Sequence, residues 1–163
     1  MLFSFAVTEG IGFKPGKREE GMKLDFIDIR RAYYHAEARR KVYIKLPEGD
    51  EEEGMCGILH KSLEGTRDAA QNWEHTYNKF LMDIGFERGK ATPCVFTLNS
   101  KDLRIVVHGD DFTVLVYTKD LDCFRQQIGD QFTVKFRGCV GPQQADLKSI
   151  RILNRILEWI KEV

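Results

Sequence analysis

The sequence predicts an α+β fold organised around an antiparallel sheet, and three observations carry that prediction. Short β-branched runs succeed one another through brief polar turns, the connection that hairpins use and parallel βαβ units do not. One long stretch, residues 66–84, repeats its apolar residues at three- and four-residue spacing, as an amphipathic helix does. Strands and helices are mixed without strict alternation, which disfavours a doubly wound parallel sheet. At 163 residues, 42% of them hydrophobic, the chain fits one domain over 1–163 with a core of ordinary size.

Leu2 to Glu9 predicts a helical turn or two, and Gly10 to Gly16 a loop whose glycine spacing does not fit a dinucleotide fingerprint. Met22 to Ile29 alternates, with Leu24, Phe26 and Asp28 on one face, and predicts a strand ending near Asp28. Val42 to Leu46, closed by Pro47, is a second strand, and Met55 to Leu59 a third. Thr66 to Ile84 is a helix, with Ala69, Ala70, Trp73, Tyr77, Phe80, Leu81 and Ile84 inward, Thr66 as its cap and Gly85 as its stop. Val95 to Leu98 is a strand, Asn99 to Asp102 a turn, and Leu103 to Tyr117 a hairpin. Lys119 to Ile128 predicts a helix and Gln131 to Phe136 a strand. Ala145 to Ile160 closes as an amphipathic helix, with Leu147, Ile150, Leu153, Leu157 and Ile160 opposite a basic face of Lys148, Arg151 and Arg155.

Composition narrows the function classes. No apolar run reaches the roughly 20 residues that span a bilayer, and the opening run lacks a basic leader, so the expectation is a soluble chain without a membrane partner, in the cytoplasm or nucleus. Cys56, Cys94, Cys123 and Cys139 are too scattered for a zinc pattern or a disulfide framework. Lys plus Arg equals Asp plus Glu at 25 each, so net charge leaves no general nucleic-acid footprint. A local basic group from Arg30 to Lys45 precedes an acidic run at Asp50 to Glu53, and either can be simply a solvated face.

Asp110 and Asp111 stand together at the tip of the predicted hairpin. Adjacent carboxylates raise each other's pKa unless a cation or donors compensate, which points to a divalent metal. Gly-Asp is also ordinary turn chemistry, so the residues alone leave a solvated turn open. Asp28, at the end of another strand, supplies a third carboxylate for the same sheet. Two divalent ions held by carboxylates are the usual apparatus of in-line phosphoryl transfer.

Five blocks in order then resemble the reverse transcriptases of copia-type retrotransposons. Asp28, Ala32-Tyr33, Val42-Tyr43 and Leu46-Pro47-Glu48-Gly49 look like the first catalytic block. The stretch from Lys61 to Trp73 is similar to Ser-Leu-Tyr-Gly-Leu-Lys-Gln-Ala-Pro-x-x-Trp, and Gly85-Phe86 with Pro93 to Phe96 matches the family's next segment. His108-Gly109-Asp110-Asp111 falls where the family has Tyr-Val-Asp-Asp, and Phe132 to Gly138 resembles Phe-x-Met-Lys-Asp-Leu-Gly. The resemblance implies a polymerase palm over 22–138 with a ferredoxin- or RRM-like core, and two Mg2+ (or Mn2+) ions on Asp28, Asp110 and Asp111 as metal ligands and catalytic residues. It implies a primed RNA or DNA template and deoxynucleoside triphosphates as partners. It also places Ala32, Tyr33, Arg67, Asp68 and Lys135 at the substrate. Tyr33 would exclude a 2′-hydroxyl by a steric clash, and Lys135 would protonate pyrophosphate; a core aromatic and a surface lysine are the alternatives.

Departures accompany the matches. Asp68 replaces the family's Gln and Ala70 its Pro, and an acid beside a triphosphate is electrostatically unfavourable. Gly109 would loosen the turn, and His108 reads as a strand-end residue. The expectation is a partial fingers remnant and loop over 1–21, then the palm, then a linker and helix over 139–163, with full fingers, thumb and ribonuclease H segments supplied by a longer polyprotein. An inactive remnant that at most binds nucleic acid is the main alternative, and a metal-dependent nuclease a third.

Overall fold

A computed structural model describes residues 21–141 and 143–160; the readings at Leu2 to Glu9 and Gly10 to Gly16 lie outside them. The chain divides into two units, one running to Arg30 and resuming at Leu81, the other Arg31–Phe80.

In the first unit the sheet is organised around β1 (Met22–Ile29), which is buried along its length except at the half-buried Asp28. β1 lies between β7 (Asp111–Tyr117) and β8 (Val134–Val140), antiparallel to both. Beyond β7 come β6 (Leu103–His108), β5 (Val95–Leu98) and β4 (Glu87–Arg88), giving the six-strand order β4-β5-β6-β7-β1-β8. The β5 bounds and the two hairpin arms match the sequence expectation, because alternation and turn chemistry act locally there. β4, only two residues long, has no counterpart among the strands expected from the sequence.

The sequence pattern of β1 puts Lys23 and Asp25 on a polar face, yet both are buried, at 7% and 0% exposure. The reason is that both faces of the strand are covered. On the even face, Met22, Leu24, Phe26, Leu115 and Val140 form an apolar cluster against half-buried Ile150, Ile152, Leu157 and Trp159. On the odd face lies the long helix of this unit, spanning Thr118–Gln131, which turns Leu121, Phe124 and Ile128 inward. Its Arg125 reaches Asp25, and its Phe124 meets Phe86 edge-on at 5.9 Å. The strand expected from Gln131 begins only at Val134, since the helix still holds Phe132 through its N–H to the Ile128 carbonyl at 2.9 Å.

The predicted final helix, Ala145 to Ile160, is instead a hairpin of β9 (Ser149–Ile152) and β10 (Arg155–Glu158). Leu153 and Asn154 form its two-residue loop with φ of 45° and 60°, the positive pair that a type I′ turn requires. Ile150 and Leu157 fit both a helical and an alternating pattern. The apolar cluster on the even face of β1 decides between them, because a two-residue period sets Ile150, Ile152, Leu157 and Trp159 against it together.

In the second unit α1 (Ala32–His35) is a single turn entered through Arg31 at φ 53°. β2 (Tyr43–Ile44) pairs antiparallel with β3 (Gly57–Ile58), both shorter than expected. α2 (Ala69–Asp83), whose residues from Leu81 on belong to the first unit, begins three residues after Thr66, whose hydroxyl donates to the Leu63 carbonyl at 2.7 Å in the preceding turn and does not cap the helix. Trp73 and Tyr77 are buried edge-to-face at 5.4 Å, while Ala70, expected inward, is exposed. Gly85, at φ 97°, stops α2 as expected: its N–H meets the Met82 carbonyl, and the Phe86 N–H meets that of Leu81, a Schellman closure. Among the described residues no helix, α2 and α3 (Thr118–Gln131) included, is long and apolar enough to cross a membrane.

Candidate active site

Four strands each bring one polar residue into a single row. His108 of β6 faces Asp111 of β7, Asp111 faces Asp28 of β1, and Asp28 faces Lys135 of β8. Directly opposed residues in antiparallel strands project from the same face, so register alone places these four together. The Ile29 N–H bonds the Asp110 carbonyl at 2.9 Å, which marks Asp28 and Asp111 as a non-hydrogen-bonded pair. That is the pairing in which facing residues come closest, about 4.5 Å between Cα atoms.

The turn that presents the aspartates is tight. Gly109 and Asp110 are its two loop residues, with φ of 64° at Gly109, the left-handed first position of a glycine-led hairpin turn. The glycine thus serves the turn geometry, where looseness was expected. Asp110 is exposed at the tip and Asp111 is half-buried below it. Burial first, then the charges of Asp110 and Asp28, push the Asp111 carboxyl above the ordinary carboxylate range, against the opposing pull of Arg137. Arg137 Nη1 lies 3.5 Å from Asp111 Oδ1. Among the described residues no three His, Cys, Asp or Glu side chains are gathered as one ion-holding group.

A second acidic centre lies on the opposite face of β1. Arg125 clasps Asp25 through Nε to Oδ2 at 2.9 Å and Nη2 to Oδ1 at 2.7 Å. The Cys139 thiol donates to the same Asp25 Oδ1 at 3.1 Å, and Arg125 also lies over the Phe136 ring, 5.0 Å from its centroid. Burial and then the Asp25 charge push the Cys139 thiol up to about 12, which leaves it protonated and unreactive at neutral pH. Sequence reasoning missed this cluster; its one local signal was an acid inside an otherwise apolar strand.

The remaining expected substrate residues belong to the second unit. Ala32 is buried, Tyr33 half-buried and Arg67 exposed. Asp68 accepts from Arg40 Nη2 at 2.9 Å and from Asn72 Nδ2 at 3.3 Å, and the Arg40 guanidinium holds its carboxyl below the ordinary value. Ser62 and Asn72, from the second matched block, are buried and bonded to each other at 3.0 Å, a structural use of those positions.

A six-stranded antiparallel sheet with a carboxylate row at a hairpin tip is the frame, and residues 17–143 match the model of the family described as reverse transcriptase (RNA-dependent DNA polymerase). The chain belongs to that family. Its relatives are copia-type Pol polyproteins, as the ordered blocks implied. It is 23% identical over 103 residues to a retrovirus-related Pol polyprotein from transposon TNT 1-94 of Nicotiana tabacum, covering 61% of this chain and 7% of the relative. It is 28% identical over 103 residues to the truncated transposon Ty1-A Gag-Pol polyprotein of Saccharomyces cerevisiae, covering 63% of this chain and 8% of the relative. The match therefore spans less than a tenth of either relative's length.

Proposed function

We propose that this chain forms the palm of an RNA-directed DNA polymerase, with Asp28, Asp110 and Asp111 as the carboxylates of a two-metal nucleotidyl-transfer site. The observation that carries the reading is the Asp28–Asp111 pair, closely opposed in register beside the Asp110 turn. The donor set is all carboxylate oxygen, suited to hard divalent ions such as Mg2+ or Mn2+, and Asp111, raised by burial first and then by the charges of Asp110 and Asp28, carries a charge that a cation would offset. When bound, two such ions supply Lewis acidity and counter-charge for attack of a primer 3′-hydroxyl on a deoxynucleoside triphosphate.

The chain's own residues then divide the work. Asp28 and Asp111 hold fixed positions on adjacent strands, while Asp110 presents its carboxylate from the solvent-facing tip. Lys135, which lies opposite Asp28 in register, gives a proton to departing pyrophosphate in this reading. Tyr33 is the steric gate against a 2′-hydroxyl. Asp68, already neutralised by Arg40, adds less repulsion toward a triphosphate than a free acid would. Template, primer and the fingers, thumb and ribonuclease H segments of a longer polyprotein complete the working enzyme, inside the cell in the cytoplasm or nucleus.

Primer extension on an RNA template with Mg2+ tests the reading. Incorporation should fall to background in Asp28→Asn and Asp110→Asn; incorporation that survives Asp110→Asn overturns the site. A second reading, a folded inactive remnant, is favoured by the Arg137 contact on Asp111. It predicts no extension by a folded sample, with salt-sensitive nucleic-acid binding retained.

A further inference from the structure

Arg137 stands where the matched family block has Leu, and in this fold the difference becomes a contact at the carboxylate row. β8 slips by one residue against β1: Phe26 faces Gly138 and Ile27 faces Phe136, so Arg137 is the extra residue of a β-bulge. Gly138 fixes that bulge. Its φ is 123°, and a Cβ there would lie 2.5 Å from Leu147 Cδ1. The freed Arg137 side chain makes two contacts, Nη1 at 3.5 Å from Asp111 Oδ1 and Nη2 donating to the Arg151 carbonyl at 3.0 Å.

We propose that Arg137 is a built-in counter-ion of Asp111, which takes the place of a divalent cation at that carboxylate and sets how tightly the cation binds. The inference rests on Asp111 being a metal ligand. A guanidinium stays charged at any working pH and has no lone pair to offer a metal. It therefore cannot share in coordination; it can only lend charge to the carboxylate or withdraw. An arriving cation meets one positive charge beside its ligand, and the Arg151 carbonyl, a neutral acceptor, retains the side chain nearby through a single hydrogen bond. The Arg137 side chain is 32% exposed, so withdrawal into solvent is open to it. The Leu of the matched block offers no such competition.

Mn2+ binding, followed by the electron paramagnetic resonance signal of the free ion, tests this at low ionic strength without any turnover. Arg137→Gln keeps a donor for the Arg151 carbonyl and should bind Mn2+ on the order of tenfold more tightly than the parent chain. Arg137→Leu should do the same, while Arg137→Lys, which keeps the charge, should stay near the parent. The gain should vanish in an Asp111→Asn background. Equal or weaker binding by both neutral variants, with the parent's binding still dependent on Asp111, overturns the role of Arg137 alone. Binding indifferent to Asp111 in every chain overturns the metal-ligand reading and this inference with it. Far-UV circular dichroism of each variant establishes that the fold is retained, and Arg137→Gln decides should Arg137→Leu not fold.

Discussion

Asp25 and Asp28 sit three residues apart on one strand, on opposite faces of one sheet, and live in contrasting chemical conditions. Asp25 is wholly buried and fully answered: a two-pronged arginine, a thiol donor and an aromatic ring under the guanidinium close the cluster. Asp28 is half-buried, with Asp111 opposite it on one side and Lys135 on the other and, among the described residues, no clasp like that of Asp25, and Asp111 meets Arg137 through a long single-pronged contact. A carboxylate that the fold has satisfied is part of the fold. One that the fold leaves under-compensated is kept for something else, and the difference between them is measurable.

The largest expected effect comes from breaking the satisfied side. Asp25→Ala strands Arg125 in a partly buried position, and urea unfolding should show a loss of about 3 kcal/mol, the lower end of the range for a severed buried pair because Arg125 keeps some solvent. Asp28→Asn, by contrast, should change unfolding free energy by no more than about 0.5 kcal/mol while removing primer extension. Should both substitutions cost the same stability, the contrast between the two faces fails.

The thiol reports on the same clasp. With its pKa pushed up to about 12, Cys139 should resist iodoacetamide at pH 8 in the native chain while the exposed Cys56 and Cys123 react; mass spectrometry of timed samples would resolve the order. Asp25→Ala should bring Cys139 labelling forward.

A smaller effect is expected at Asp111. Its raised folded pKa means that the folded state holds a proton the unfolded chain has already lost, so its stabilising contribution is complete below the unfolded pKa and disappears as pH rises through the folded one. Without divalent ions, Asp111→Asn should therefore raise the thermal midpoint at neutral pH, and the gain should shrink toward acid. A neutral-pH midpoint that falls would show that Arg137 compensates Asp111 fully. The least effect belongs to Asp68→Gln, which restores the family residue at an exposed pair with Arg40: its unfolding midpoint should coincide with the parent's, and a clear drop would make that surface pair structural.

How much of this was legible in the sequence depended on the range of the forces involved. β1, β5 and the hairpin arms announce themselves through alternation and a glycine-led turn, all settled within a few residues. That Asp28 shares a sheet with the hairpin was legible from the strand ends and the matched blocks, while its direct opposition to Asp111 is a register that only the fold reveals. The β9–β10 hairpin was illegible because Ile150 and Leu157 satisfy a helical period as well as a strand period, and the cluster that chose between them comes from β1, β7 and β8. Arg137 was passed over for a related reason. A bulge is a relation between two strands, and only the register against β1 reveals it. The Asp25 clasp joins residues a hundred positions apart, beyond any local pattern.

The bulge in β8 has one more consequence, for the company the molecule keeps. β8 is the outer strand on its side of the sheet, covered among the described residues only at its end, where the Leu147 N–H bonds the Cys139 carbonyl, and an outer strand invites a second chain to zip alongside. A kink at Arg137, with Lys135 and Arg137 bristling along a run of seven residues, gives an approaching strand neither a straight ladder nor a neutral one. On the far side, Glu87–Arg88 is too short to template anything. The irregularity that aims a guanidinium at Asp111 thus also discourages aggregation at a sheet margin.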